Sequence, residues 1–161
     1  MDIATIVGLI ATVTVLMVGI GSNLSTMLDA PSAIIVVGGT LASLLVSFPL
    51  KDIVGPMLAC KVYVFIPPKQ MTPEVERNLS VGIEIFRRAG TYASAFGWVG
   101  VLVGLAIMSR HGALYDLERL GPGFSICILT ALYGTVLHYL VFVPIRTKLS
   151  RIQADLAIQA S

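Results

Sequence analysis

Leu120–Ile145 reads LGPGFSICILTALYGTVLHYLVFVPI, 26 consecutive residues without a charged side chain. As an α-helix this run is about 39 Å long, against roughly 30 Å for the hydrocarbon core of a bilayer. One end must therefore project, tilt, or bend at Pro144. The preceding run, Ala89–Ser109, reads AGTYASAFGWVGVLVGLAIMS and is uncharged over 21 residues. Working outward, Ile3–Gly21 supplies 19 uncharged residues, and another apolar run opens at Pro31 and extends to about Leu50. Four such runs predict an all-α integral membrane protein with four transmembrane helices. Composition agrees: 12% of residues are charged and the mean hydropathy is +0.89, where a soluble domain carries about 25% charge.

The remaining segments organise around these spans. Residues 1–50 hold spans one and two, 51–88 form a loop, 89–145 hold spans three and four, and 146–161 are a tail. In the loop, Val54–Val64 is apolar but too short to span, so it lies at the interface or packs under the bundle. Pro67, Pro68 and Pro73 break helix between Ile66 and Pro73. From Glu74 to Arg88 apolar residues recur at three- and four-residue steps, which predicts a short loop helix running toward span three. Met1-Asp2 is an acidic start before a long apolar run, so no cleaved signal is expected. Nine of the basic residues (Lys51, Lys61, Lys69, Arg77, Arg87, Arg88, Arg146, Lys148 and Arg151) follow spans two and four, against Arg110 and Arg119 after span three. This bias places the long loop and both termini in the cytoplasm.

Charge also limits function. A net charge of +2 does not suggest nucleic acid, and membrane lipid is the expected surrounding. Cys60 and Cys127 have no metal or disulfide spacing. No catalytic constellation is present, so neither an enzyme nor a cofactor is expected. No Asp, Glu, Lys or Arg lies inside any span, whereas ion pathways normally need an ionisable or strongly coordinating group at depth. If ions move, a carboxylate comes from a partner. The polar groups available are hydroxyls (Ser94, Ser125, Thr130, Thr135), His138 and backbone carbonyls. Cys127, Thr130, Gly134 and His138 form one narrow stripe on span four, which a helix–helix seam and a pore wall explain equally. Gly97, Gly100 and Gly104 are expected to pack span three closely, Gly100 and Gly104 as a small-xxx-small pair. His138 sits near the cytoplasmic end, where two readings stand: a proton relay and, ranked first, an interfacial histidine hydrogen-bonded to a neighbour.

Two blocks carry a resemblance. One runs from Met1-Asp2-Ile3-Ala4 to Pro31-Ser32, Val36-Val37-Gly38-Gly39-Thr40 and Phe48-Pro49-Leu50-Lys51-Asp52. The other runs from Glu76-Arg77 through Ala95-Phe96-Gly97, Gly100-Val101-Leu102-Val103-Gly104 and Leu129-Thr130-Ala131-Leu132-Tyr133-Gly134 to Val143-Pro144-Ile145. Together they resemble the MotA/PomA branch of the MotA/TolQ/ExbB family, the channel-forming stator subunits of the bacterial flagellar motor. The resemblance implies a homopentamer in the bacterial inner membrane, enclosing a MotB-like single-span partner that carries an ion-binding aspartate. It implies channel-lining roles for Thr130, Ser94, Val101 and Ala131 and a structural role for Pro144; Gly134 and His138 join the expected channel lining from the span-four stripe.

The chain departs from the family pattern in four places. Ser94 stands where the family has proline at the start of span three. Val101 stands where sodium-driven members carry a hydroxyl, which favours protons. Ala131 replaces the second threonine of a span-four pair. The 51–88 loop is truncated, so the large charged domain that meets the rotor is mostly missing and rotor contact is weakened. Two other readings therefore stand beside an ion-conducting stator subunit: a non-conducting structural paralogue, and an ExbB/TolQ-like energiser of a non-flagellar system. A small four-helix exporter ranks last, because such proteins use a membrane carboxylate that this chain lacks.

Overall fold

The computed structural model describes residues 3–21, 25, 27–109 and 117–160, and the regular structure among them is helical. Helix α1 spans Ile3–Ile20 and carries no charge. Thr12 and Thr14 each donate to a carbonyl one turn back at 2.8 Å, which pairs these two hydroxyls within an apolar helix. Gly21 follows at φ 59°, a left-handed conformation that glycine adopts without a Cβ penalty.

Helix α2 covers Ala30–Ser47. Asp29 caps it, its carboxylate accepting from the Ser32 N–H at 2.8 Å, and Pro31 occupies the first turn, where a missing N–H costs nothing. The helix widens to π geometry over Ile34–Gly38. It ends at Ser47, three residues before the expected Leu50. Phe48 is extended (φ −132°, ψ 142°) because Pro49 behind it disfavours the helical region.

Helix α3, Leu50–Phe65, is longer than the apolar segment that predicted it. Helix α4 runs unbroken over Pro73–Ser109, 37 residues. The Glu74–Arg88 pattern is thus the first half of span three's own helix. Thr72 starts it, its side chain accepting from the Val75 N–H at 3.3 Å. Helix α5, Leu117–Val136, begins three residues before the apolar run, since nothing in Leu117–Arg119 breaks a helix; the expected loop at 110–116 lies outside the described residues. A π segment, Leu137–Phe142, joins α5 to helix α6, Val143–Ala160. The tail is therefore continuous with span four. Pro144 would clash with the carbonyl four residues back in a regular helix. The widened turn just before it, where the Val143 N–H reaches His138 O, takes up that mismatch.

Ala30–Ser47, Pro73–Ser109 and Leu120–Gln159 are long and apolar enough to cross a membrane. The loop and tail are not loose appendages. Cys60 from α3, Leu79 and Phe86 from α4, and Leu149, Ile152 and Leu156 from α6 bury together. A second cluster, Leu44, Ile85 and Ala89, ties α2 to α4. Arg77 pairs with Asp52 at 3.0 Å across α4 and α3. Glu84 accepts from Arg87 at 2.6 Å and Arg88 at 2.9 Å. The Arg87 hydrogen bond is the main cause that pulls the Glu84 carboxyl from an ordinary 4.5 down to about 2.

The tightest point in this base is Gly82, where an added Cβ would collide with the Cys60 sulfur. Cys60 is fully enclosed, and burial pushes its thiol up to about 11. Gly82→Ala should destabilise the purified protein by about 1–3 kcal/mol in thermal unfolding, and Cys60→Ala in the same chain should restore part of that loss. Additive losses would disprove the contact. Glu84 binds its proton less readily folded than unfolded, so its stabilisation is present above pH 4.5 and is lost as pH falls toward 2. The triad is exposed, so Glu84→Gln should cost under about 1 kcal/mol at pH 7, and this difference should vanish in melts near pH 2.

Candidate functional site

The candidate site is the contact between α4 and α5, built from glycines on one side and the span-four stripe on the other. A methyl group at Gly134 would lie 2.7 Å from Ala93 O and 2.9 Å from Gly97 Cα. One at Gly97 would meet Thr130 O at 3.1 Å and Gly134 Cα at 3.2 Å. Here backbone rests on backbone, which only glycine permits at both positions. One turn outward, Gly100 receives the Thr130 side chain, and a methyl at Gly104 would lie 2.6 Å from Gly123 O. Gly97, Gly100 and Gly104 are all buried.

The polar groups of the stripe are spent within this contact. Thr130 is fully buried; its hydroxyl donates to Ile126 O at 2.7 Å and lies 3.3 Å from Cys127 O. Cys127 reaches across to Val101 O at 3.3 Å. His138 Nδ1 lies 2.6 Å from Gly90 O. A carbonyl only accepts, so Nδ1 carries the proton in this contact. The His138 ring also lies against Tyr139, centroids 4.4 Å apart.

Ser94 and Val101, seven residues apart, share a strip of α4 beside the glycine face, and both are half-buried. Ala131 is half-buried one position round from Thr130, and its carbonyl accepts from Thr135 at 2.7 Å. Thus Thr130, Gly134 and His138 meet α4 directly, whereas Ser94, Val101 and Ala131 flank the contact. Pro144 stands just past the π segment, outside it.

Three further contacts pair residues whose partners the sequence does not show. The Tyr133 hydroxyl donates to Met27 O and accepts from the Asp29 N–H at 3.0 Å, fastening the turn before α2 to α5. Phe96 fills the space over Gly39. Ser47 and Tyr92 share a hydroxyl contact of 2.7 Å. A tyrosine inside an apolar run needs a partner for its hydroxyl, and that was the available signal for Tyr133 and Tyr92.

No family model matches the chain. Motility protein A of Aquifex aeolicus (strain VF5) is 25% identical over 212 aligned positions, which cover 94% of this chain and 83% of that protein. Chemotaxis protein PomA of Vibrio alginolyticus is 26% identical, covering 93% of this chain and 81% of that protein. In fold, the chain matches a chain of the flagellar MotAB stator complex from Bacillus subtilis with a TM-score of 0.80 at 21% identity, over 96% of this chain and 84% of that one. Over nearly its whole length the chain is similar to proteins of the MotA/PomA branch. The alignment to the Aquifex protein exceeds the 161 residues of this chain, so the relative carries positions with no counterpart here. In this chain α3 passes to α4 through only the 66–72 connection.

The seam yields a graded expectation. Gly134→Ala drives a methyl into backbone that cannot move aside, whereas Gly100→Ala meets a side chain. Gly134→Ala should therefore destabilise more, and Thr130→Ala should partly rescue Gly100→Ala but not Gly134→Ala. Thermal melts of the four variants in one detergent decide this; equal losses would contradict the backbone contact.

Proposed function

We propose that the chain is a channel-forming stator subunit of the bacterial inner membrane, coupling proton flow to flagellar-type motion together with a MotB-like partner. The observation that carries this reading is similarity to Motility protein A over 94% of this chain and 83% of that protein, supported by the stator-complex fold. On this reading α1 makes the fourth crossing, both termini are cytoplasmic, and five copies surround the partner.

The chemistry fits a borrowed acid. Ile3–Ile20, Ala30–Ser47, Ala89–Ser109 and Leu120–Ile145 contain no ionisable carboxylate, lysine or arginine, so the proton-carrying group comes from the partner. The flank of Ser94, Val101 and Ala131 faces it, with Thr130 and Gly134 just behind and His138 toward the cytoplasmic end. Ser94 offers a hydroxyl to hydrogen-bond the partner's carboxylate. Val101 supplies no oxygen to replace a sodium ion's hydration, which supports protons. Pro144 and its widened turn set the lower end of the wall.

The short 66–72 connection and Ala131 favour a second reading: a paralogue that keeps the packing but not the flux, or an ExbB/TolQ-like energiser outside the flagellum. Co-expression with a MotB-type partner in cells lacking their own stator distinguishes these. The stator reading expects co-purification, slower growth from proton leak, and swimming or torque on tethered cells. Leak without motion would assign a non-flagellar energiser; a complex without leak would assign the non-conducting paralogue; failure to co-purify would overturn all three. Ala131→Thr should raise the leak, and Ser94→Ala should lower it.

A further inference from the structure

A groove of about 1330 Å³ runs along the side of the molecule where the apolar spans meet the packed base. Gly8 and Thr12 of α1 line it together with Leu140, Val141 and Pro144. These walls are only partly covered by the chain itself: Val141 is 37% exposed, and Phe65, at the α3 edge, is 45% exposed. The mouth is different in kind. Lys69, Lys148 and Arg151 line it against one carboxylate, Asp155.

Depth and charge together define the occupant. Thr12 lies nine residues beyond Ile3, about 14 Å along α1. One leaflet's hydrocarbon occupies half of the bilayer core, about 15 Å. With Ile3 at the cytoplasmic surface, Gly8 and Thr12 therefore lie within the cytoplasmic leaflet, and Lys148 and Arg151, just past Ile145, stand at headgroup level. A second copy of this chain would bring its own surplus of basic groups to the same mouth. An anionic headgroup complements it.

We infer that this groove binds an anionic phospholipid of the cytoplasmic leaflet, acyl chains against Phe65, Leu140 and Val141, phosphate between Lys69 and Arg151. The inference rests on the cytoplasmic orientation of the loop and tail proposed above, and is independent of ion conduction. Native mass spectrometry of the detergent-purified protein, titrated with phosphatidylglycerol or phosphatidylcholine, tests it. Phosphatidylglycerol should be retained in preference. Lys69→Gln and Arg151→Gln should each weaken that retention about fivefold, and together about thirtyfold, leaving phosphatidylcholine unchanged. Gly8→Trp, which fills the apolar end, should displace both lipids. Equal retention of the two lipids, or undiminished phosphatidylglycerol in the double-charge variant, would overturn the site. So would a covalent dimer between copies carrying Gly8→Cys and Val141→Cys, which would give the groove to a second copy. Loss of leak or motility in the partner experiment would leave these readouts unmoved.

Discussion

At Gly97 and Gly134, and again at Gly104 and Gly123, α4 and α5 rest backbone on backbone. Without a hydrophobic drive between helices in lipid, long apolar helices associate through packing that brings their main chains together. Glycines at 97, 100, 104, 123 and 134 give α4 and α5 that closeness. Everything polar on the stripe is then fitted to it: Thr130 turns its hydroxyl back onto its own helix, Cys127 reaches Val101 O, and His138 reaches Gly90 O. The pair becomes one rigid, nearly uncharged wall. On the proposed function this is what a conduit with a borrowed acid requires, since a wall without charges of its own leaves the partner's carboxylate as the sole strong proton site.

The rest of the chain holds this wall. Tyr133 fastens the turn before α2, and Phe96 seats against Gly39. Below, α3 and α6 clamp the first half of α4 around Cys60, Leu79 and Leu149. The short connection at 66–72 leaves α3, the first half of α4 and α6 as a small base. A base built from the same two long helices that form the wall transmits any displacement of one to the other, because packed helices have little room to deform.

Much of this was legible in the residues. Uncharged runs located the long apolar helices, because burial in lipid excludes charge regardless of tertiary detail. The glycine steps located the seam. Two kinds of feature were not legible. Local backbone adjustments, such as the end of α2 at Ser47 or the π turn before Pro144, depend on where a helix must compromise with a proline, and periodicity does not report that. Long-range partners, such as Tyr133 with Met27 and Asp29 or Cys60 with Gly82, join residues far apart in sequence. Nor did the stripe itself distinguish seam from pore wall: Thr130 and Gly134 face α4, whereas Ser94, Val101 and Ala131, less conspicuous in sequence, flank the contact.

Proton uptake into liposomes tests the borrowed-acid conduit most directly. The purified chain alone should pass no protons above the empty-vesicle rate, and the chain assembled with a MotB-type partner should pass them until the partner's aspartate is replaced by asparagine. Flux from the chain alone, or flux that survives that replacement, would contradict it.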